Sequence, residues 1–134
     1  RRQDALERDA RRMRLRISAG STRFEIEISS SETAKALAAA VPFESRAQTW
    51  GEEVYFATPV SAKLEDGARQ VVEPGTVCFW TQGNALALPY GRTPISTDER
   101  PKLANPCNVL GKVIGDPRQL EKIRSGEKIR VEKA

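Results

Sequence analysis

Arginine, glutamine and aromatic residues near the middle of the chain have the side-chain types that bind ligands. Trp50 and Tyr55 flank Gly51-Glu52, which is typical of a hairpin turn, so both rings are expected at one end of a sheet. Arg46 and Gln48 precede them on the same predicted strand. Aromatic rings provide a large contact area at low entropy cost, and guanidinium and amide groups bind carbonyl or carboxylate oxygens. These four residues predict a groove for a small molecule or an extended peptide.

A second pair of polar residues, Gln82 and Arg92, surrounds a later predicted hairpin. Their amide and guanidinium groups can bind a peptide carbonyl or a carboxylate. Asn84 lies between them, but a turn role is favoured for it because Asn tolerates positive φ in a tight hairpin. Trp80 and Tyr90 are expected in the core, since an aromatic ring buries a large area. The predicted ligand-binding set is Arg46, Gln48, Trp50, Tyr55, Gln82 and Arg92.

Composition excludes several catalytic chemistries. The chain contains no histidine, which removes histidine-based acid–base catalysis and histidine metal ligands. Glu52 and Glu53 are adjacent, so on a strand they face opposite ways and form no paired-carboxylate site. Cys78 and Cys107 lack CxxC spacing, which favours two free thiols in a reducing, cytoplasmic compartment; a disulfide between them needs Cα atoms within about 7 Å. We predict no metal, no cofactor and no catalytic residue.

Positive charge is concentrated at the N-terminus. The formal net charge is +4, and residues 1–16, with seven arginines and three acidic residues, carry all of it. We interpret residues 1–12 as a basic arm, either a solvated extension or a contact for an acidic partner, and residues 13–134 as the folded domain. A neutral body is not expected to bind nucleic acid. The longest apolar run, residues 36–41, is too short to cross a bilayer, so no membrane partner is expected. The oligomeric state is open.

Short segments in which polar and apolar residues alternate dominate the rest of the chain, and they predict a mainly β fold. The alternation over residues 14–28 predicts a hairpin, and Ser29 and Glu32 have the spacing of a helix-capping box before an Ala-rich helix. Further strands are expected over residues 45–90, followed by a long loop over residues 91–107. Another strand, a short helix after Asp116-Pro117 and a closing strand complete the prediction.

Three sequence blocks resemble a known family. The strand that contains Gly111-Lys112-Val113, followed by a short helix and a last strand, resembles the final quarter of cyclophilins. Residues 42–56 and residues 83–96 resemble small prokaryotic cyclophilin-like proteins of unassigned function, and the resemblance covers residues 13–132. It implies a closed antiparallel β-barrel of about eight strands with two short capping helices.

The resemblance leaves two functions open. Prolyl isomerases of the cyclophilin family use the arginine of a Phe-His-Arg strand, and this sequence has no such strand. The strand after the first helix offers Arg46 and Gln48 instead, and the family's pocket Trp and His correspond to Lys102 and Cys107. The first function is therefore a non-catalytic module that binds a small molecule or a peptide. The alternative is a divergent peptidyl-prolyl cis-trans isomerase that uses Arg46.

Overall fold

Two seven-residue strands begin the fold in the computed structural model, which describes residues 12–134. The strands β1 (Met13–Ala19) and β2 (Thr22–Ile28) form an antiparallel hairpin, and its turn contains Gly20 at a φ of 58°. Left-handed backbone of this kind favours glycine. The predicted basic arm lies outside the described residues except for Arg12, which forms an ion pair of 2.8 Å with Glu27.

The other elements of residues 12–134 are eight strands and two helices. The helices are α1 (Glu32–Ala40) and a 3₁₀ helix (Pro117–Lys122). The strands are β3 (Phe43–Arg46), β4 (Gln48–Thr49), β5 (Glu53–Ala57), β6 (Arg69–Val71), β7 (Thr76–Trp80), β8 (Ala85–Pro89), β9 (Lys102–Val113) and β10 (Lys128–Lys133). Every strand pair is antiparallel, as predicted.

A nearly closed barrel is formed by nine of these strands. Their order is β3-β10-β1-β2-β9-β7-β8-β5-β4, and β6 pairs with the first half of β9 beside the barrel. The two ends of this order, β3 and β4, are consecutive in the chain and are separated by Ala47 alone. Ala47 donates its N–H to Glu127 and accepts from Gly126, so it continues the pairing with the segment before β10. The segment over residues 43–49 thus closes the barrel.

Inward-facing residues of the barrel strands form the main core. Strict alternation in β1 and β2 buries one side chain in two, with the intervening arginine and glutamate side chains on the outside. The largest fully buried side chains of this core are Leu15, Ile17, Ile26, Ile28, Leu37, Phe56, Phe79, Leu86, Leu88, Leu110 and Leu120. The helix α1 contributes Leu37, and the 3₁₀ helix contributes Leu120.

A second, smaller cluster lies outside the wall formed by β5, β8, β7 and β9. It consists of Val72, Cys78, Ala87, Leu103 and Cys107, with Tyr55, Trp80 and Val109 packed against it. Since side chains alternate between the two faces of a strand, Tyr55 points away from the core that buries Val54 and Phe56. This outer cluster positions the candidate site.

The structure corrects three details of the sequence interpretation. The expected loop over residues 91–107 ends early, because β9 begins at Lys102 and its first half pairs with β6 through a register shift that accommodates Pro106. The segment over residues 59–63, expected as a strand, is not one. Ser31, not Ser29, caps α1: its hydroxyl accepts from the N–H of Ala34 at 3.2 Å. The cap and the proline expected for the second helix are confirmed at Asp116 and Pro117.

Two classes of feature are missing from the described part of the chain. Within residues 12–134, no helix has both the length and the apolar character needed to cross a membrane. The same residues contain no group of three or more His, Cys, Asp or Glu side chains that could hold a metal ion.

Candidate functional site

A cavity of about 280 Å³ opens on the outer face of the barrel wall, and we call it the outer-wall cavity. The residues that line it are Trp50, Glu53, Tyr55, Trp80, Ala87, Leu103, Ala104 and Cys107. Its volume is close to the lower end of the range typical of small-molecule sites, and its lining is mostly apolar. The cavity can therefore enclose a ligand the size of a single large side chain.

Strand register explains why the cavity is there. Tyr55 on β5 pairs with Ala87 on β8, and Ala87 pairs with Cys78 on β7, which forms one row of outward-facing residues. The side chains of Ala87 and Cys78 are small, so they leave a depression in the outer surface beside the large ring of Tyr55. Leu103 and Cys107, from the first half of β9, supply the opposite wall.

Two of the three rings that line the cavity are held by direct contacts. Tyr55 and Trp80 meet edge to face, with ring centroids 6.4 Å apart and an interplanar angle of 85°. The Tyr55 hydroxyl donates to Gln48 Oε1 at 3.1 Å. The indole N–H of Trp80 donates to Gln82 Oε1 at 2.9 Å and to Asn105 Oδ1 at 3.1 Å. These contacts fix both rings before any ligand binds.

Glu53 is the acidic residue of the cavity, and it is only 6% exposed. Its Oε1 atom is buried, and no group in the described part of the chain forms a hydrogen bond with it. Burial raises the pKa of Glu53 to about 7, because a charged carboxylate is disfavoured where water is excluded. A carboxyl group that lacks a partner and titrates near neutrality is unusual in a core and common in a site.

The two cysteines lie close enough to Glu53 for its charge to affect their pKa values. Burial, and after it the charge of Glu53, raises the pKa of Cys107 to about 12. Burial also raises the pKa of Cys78 well above its usual range, with smaller contributions from Cys107 and Glu53. Both thiols are free, so at neutral pH they are protonated and weak nucleophiles.

Four of the six residues predicted to bind a ligand come together here. Trp50 and Tyr55 line the cavity, and Gln48 and Gln82 hold Tyr55 and Trp80. The other two, Arg46 and Arg92, are not among the lining residues. Arg46 donates to the carbonyl of Gly126 at 3.1 Å, and Arg92 donates to the carbonyl of Ser96 at 3.3 Å.

Sequence reasoning missed six of the eight lining residues. Trp80 was expected in the core, and Leu103, Ala104 and Cys107 fell in a segment expected to be a loop. Glu53 was considered only as a partner for Glu52. The available signal was the alternation of β5, which places Glu53 on the same face as Tyr55. Asn84 does take the turn role predicted for it, with a φ of 48°.

The arrangement can bind an apolar group and one polar group. None of the described residues that line it is a lysine or an arginine, so a guanidinium donor of the kind that a prolyl isomerase uses is missing from the lining. The thiol of Cys107 does not ionise near neutral pH. The remaining chemistry is the hydrogen-bonding and charge of Glu53.

Comparisons with known proteins agree with this architecture. A family model described as cyclophilin-like matches residues 13–132. The solution structure of the hypothetical protein AF2241 from Archaeoglobus fulgidus is similar, with 38% sequence identity and a TM-score of 0.80. The match covers 92% of this chain and 96% of the archaeal one. None of the curated proteins compared with the chain matches it.

Proposed function

The chain belongs to the cyclophilin-like family, and we propose that it is a binding protein whose outer-wall cavity holds a small molecule or one side chain of an extended peptide. The observation that carries the proposal is the preformed cavity, in which three aromatic rings surround a floor of small residues. Preformed concave sites of this kind, mostly apolar with few polar groups, are the usual form of small-ligand sites.

The volume of the cavity favours a compact ligand over an extended peptide. At about 280 Å³ it accepts one ring or a branched aliphatic group, and an extended peptide would have to place most of its length elsewhere. A peptide ligand would therefore be anchored by a single side chain. Rings that are already held in place lose little further side-chain entropy when the ligand binds.

The alternative function, prolyl isomerisation, has less support. It requires a guanidinium group beside the bound proline, and the amide barrier that it must lower is about 18–20 kcal/mol. Arg46, the arginine considered for that role, is directed to the carbonyl of Gly126 and does not line the cavity.

Blocking the cavity tests the proposal. Ala104 is exposed on the cavity rim, so Ala104→Trp can fill the opening without disturbing the core. Thr97→Trp is the matched control, because Thr97 is exposed and does not line the cavity. The probe is para-fluorobenzyl alcohol, observed by fluorine NMR, with an expected dissociation constant of about 1 mM for a ligand of this size.

The expected result is that the wild-type protein and Thr97→Trp broaden the probe signal equally, while Ala104→Trp weakens binding at least tenfold. Equal binding by both variants would place the probe elsewhere and would refute the proposed site. The same conclusion would follow if the wild-type protein did not bind the probe at all.

A further inference from the structure

We propose that the ligand of the outer-wall cavity carries a compact cation, such as a protonated amine, which Glu53 and the surrounding aromatic rings bind together. This inference rests on the proposed function and names the chemical class of its ligand. It follows from three features of the cavity, which are an unpaired carboxylate, a set of aromatic rings and the absence of any other charge among the described residues that line it.

The unpaired carboxylate is the first feature. A buried polar atom without a hydrogen-bond partner costs about 1–3 kcal/mol, and a buried charge without a counter-charge costs more. Glu53 Oε1 has no such partner among the described residues. An ammonium group beside this carboxyl group offers an N–H donor and a counter-charge at once.

The aromatic lining is the second feature. Trp50, Tyr55 and Trp80 line the same cavity as Glu53. A cation near the face of an aromatic ring is attracted by the negative charge of the π-system, and the attraction is about 2 kcal/mol where water is excluded. Trp and Tyr are the strongest rings for this purpose. The lining thus favours a cation. An anion would be repelled both by the faces of the rings and by Glu53.

The charges around Glu53 are the third feature. On its own strand it shares a face with Tyr55. Across the wall, the thiols of Cys78 on β7 and Cys107 on β9 are close enough for the charge of Glu53 to raise the pKa of both. On β8 its strand partner is Pro89, which has no charge. The adjacent Glu52 accepts from Arg118, and no described lysine or arginine lines the cavity. A cationic ligand therefore meets no competitor for the carboxylate.

A neutral donor would be a poorer ligand. An alcohol or an amide can donate one hydrogen bond to the carboxyl group, but it leaves the negative charge in an apolar cavity. Burial raises the pKa of Glu53 to about 7, so the charge is present above pH 7 and is lost below it. Cation binding should consequently depend on pH, and alcohol binding should depend on it much less.

A matched pair of probes tests this inference, namely para-fluorobenzylamine and para-fluorobenzyl alcohol, both observed by fluorine NMR. At pH 8 we expect the wild-type protein to bind the amine at least tenfold more tightly than the alcohol. Below pH 7 the affinity for the amine should fall roughly tenfold per pH unit, because ionisation of Glu53 must then accompany binding. Glu53→Gln should remove the preference, and Glu52→Gln, one residue away, should keep it.

The outcomes separate this inference from the proposed function. If the amine binds no better than the alcohol while Ala104→Trp blocks both, the cavity is a binding site and the cation inference is wrong. If Glu53→Gln retains the preference, Glu53 is not the counter-charge and the inference is wrong again. If neither probe responds to Ala104→Trp, the proposed function itself fails. The wild-type pH series does not depend on the folding of any variant.

Discussion

Glu52 and Glu53 are consecutive residues, yet their carboxyl groups have opposite environments. Glu52 is partly exposed; it accepts from Arg118 and from the N–H of Arg92, and the Arg118 hydrogen bond lowers its pKa. Glu53 is buried without a hydrogen-bond partner among the described residues, and burial raises its pKa to about 7. Glu52 lies in the bend before β5 and Glu53 is the first residue of that strand, so a single step along the chain separates an ion pair from a candidate binding group.

Replacing Glu53 should change how stability depends on pH. The unfolded chain releases the Glu53 proton near pH 4.5 and the folded protein releases it near pH 7, so the wild-type protein loses stability as the pH rises through this range. The difference in unfolding free energy between Glu53→Gln and wild type should rise by about 3 kcal/mol in favour of the variant between pH 4 and pH 8. Urea denaturation at each pH measures it.

Glu52→Gln provides the control for this measurement. Because its pKa is lowered in the folded protein, Glu52 stabilises the fold above pH 4.5, and this contribution disappears as the pH falls. The variant should therefore change the pH dependence in the opposite direction. A pH-independent difference for Glu53→Gln would show that Glu53 titrates normally and would remove its proposed role.

Gly83→Ala should displace the ring of Trp80. A Cβ atom at Gly83 would overlap the indole ring, which packs directly against this glycine. The ring would then lose its edge-to-face contact with Tyr55 and the hydrogen bonds to Gln82 and Asn105. We expect a changed tryptophan near-UV CD spectrum and at least fivefold weaker probe binding. Gly67→Ala is the control, because nothing lies within 4 Å of a Cβ there; an equal effect of both variants would contradict the prediction.

Asn108→Ala should destabilise the fold without touching the cavity. The fully buried Asn108 side chain accepts from the N–H of Glu65 at 2.7 Å and donates to Thr33 Oγ1 at 3.0 Å and to the carbonyl of Lys63 at 2.9 Å. Removing it leaves these groups without this partner, which should cost about 2–4 kcal/mol in urea denaturation. Thr97→Ala, at an exposed site, should cost under about 0.5 kcal/mol. Similar losses for both would show that the network is not stabilising.

Prolyl isomerisation should be absent. In a protease-coupled assay with a proline-containing peptide, the rate with the wild-type protein should equal that of the buffer blank, because no described lining residue supplies a guanidinium donor. Arg46→Ala should give the same rate. A rate above the blank that Arg46→Ala abolishes would establish the alternative function and overturn our assignment of Arg46 to the carbonyl of Gly126.

Local pattern predicted the barrel better than it predicted the site. Alternation in residues 14–28 and the turn chemistry of Gly20 and Asn84 depend on neighbours in the chain, so they could be recognised from the sequence. Trp80 and Leu103 meet only because β7 and β9 are adjacent and part of β9 extends beyond the barrel. Such pairing depends on the register between distant segments. The prolines in residues 91–107 favour a loop, so the first half of β9 could not be recognised from the sequence.

Arg46 shows the limit of reasoning from side-chain type. A guanidinium group on this segment is a reasonable ligand residue, but directly after Arg46, at Ala47, the pairing of the segment changes from β10 to β5. Arg46 lies on the β10 side of this change, and Gln48 and Trp50 lie beyond it, next to the cavity. The sequence contains no signal for the position of the change.

The change of partner at Ala47 has a consequence for the integrity of the whole cylinder. Peptide bonds, rather than hydrogen bonds between two independent strands, complete the ring at this point. An intact backbone therefore cannot slip in register there. A single proteolytic nick at Ala47, or new termini created there by circular permutation, would instead leave two free strand margins, each able to recruit a strand from another molecule.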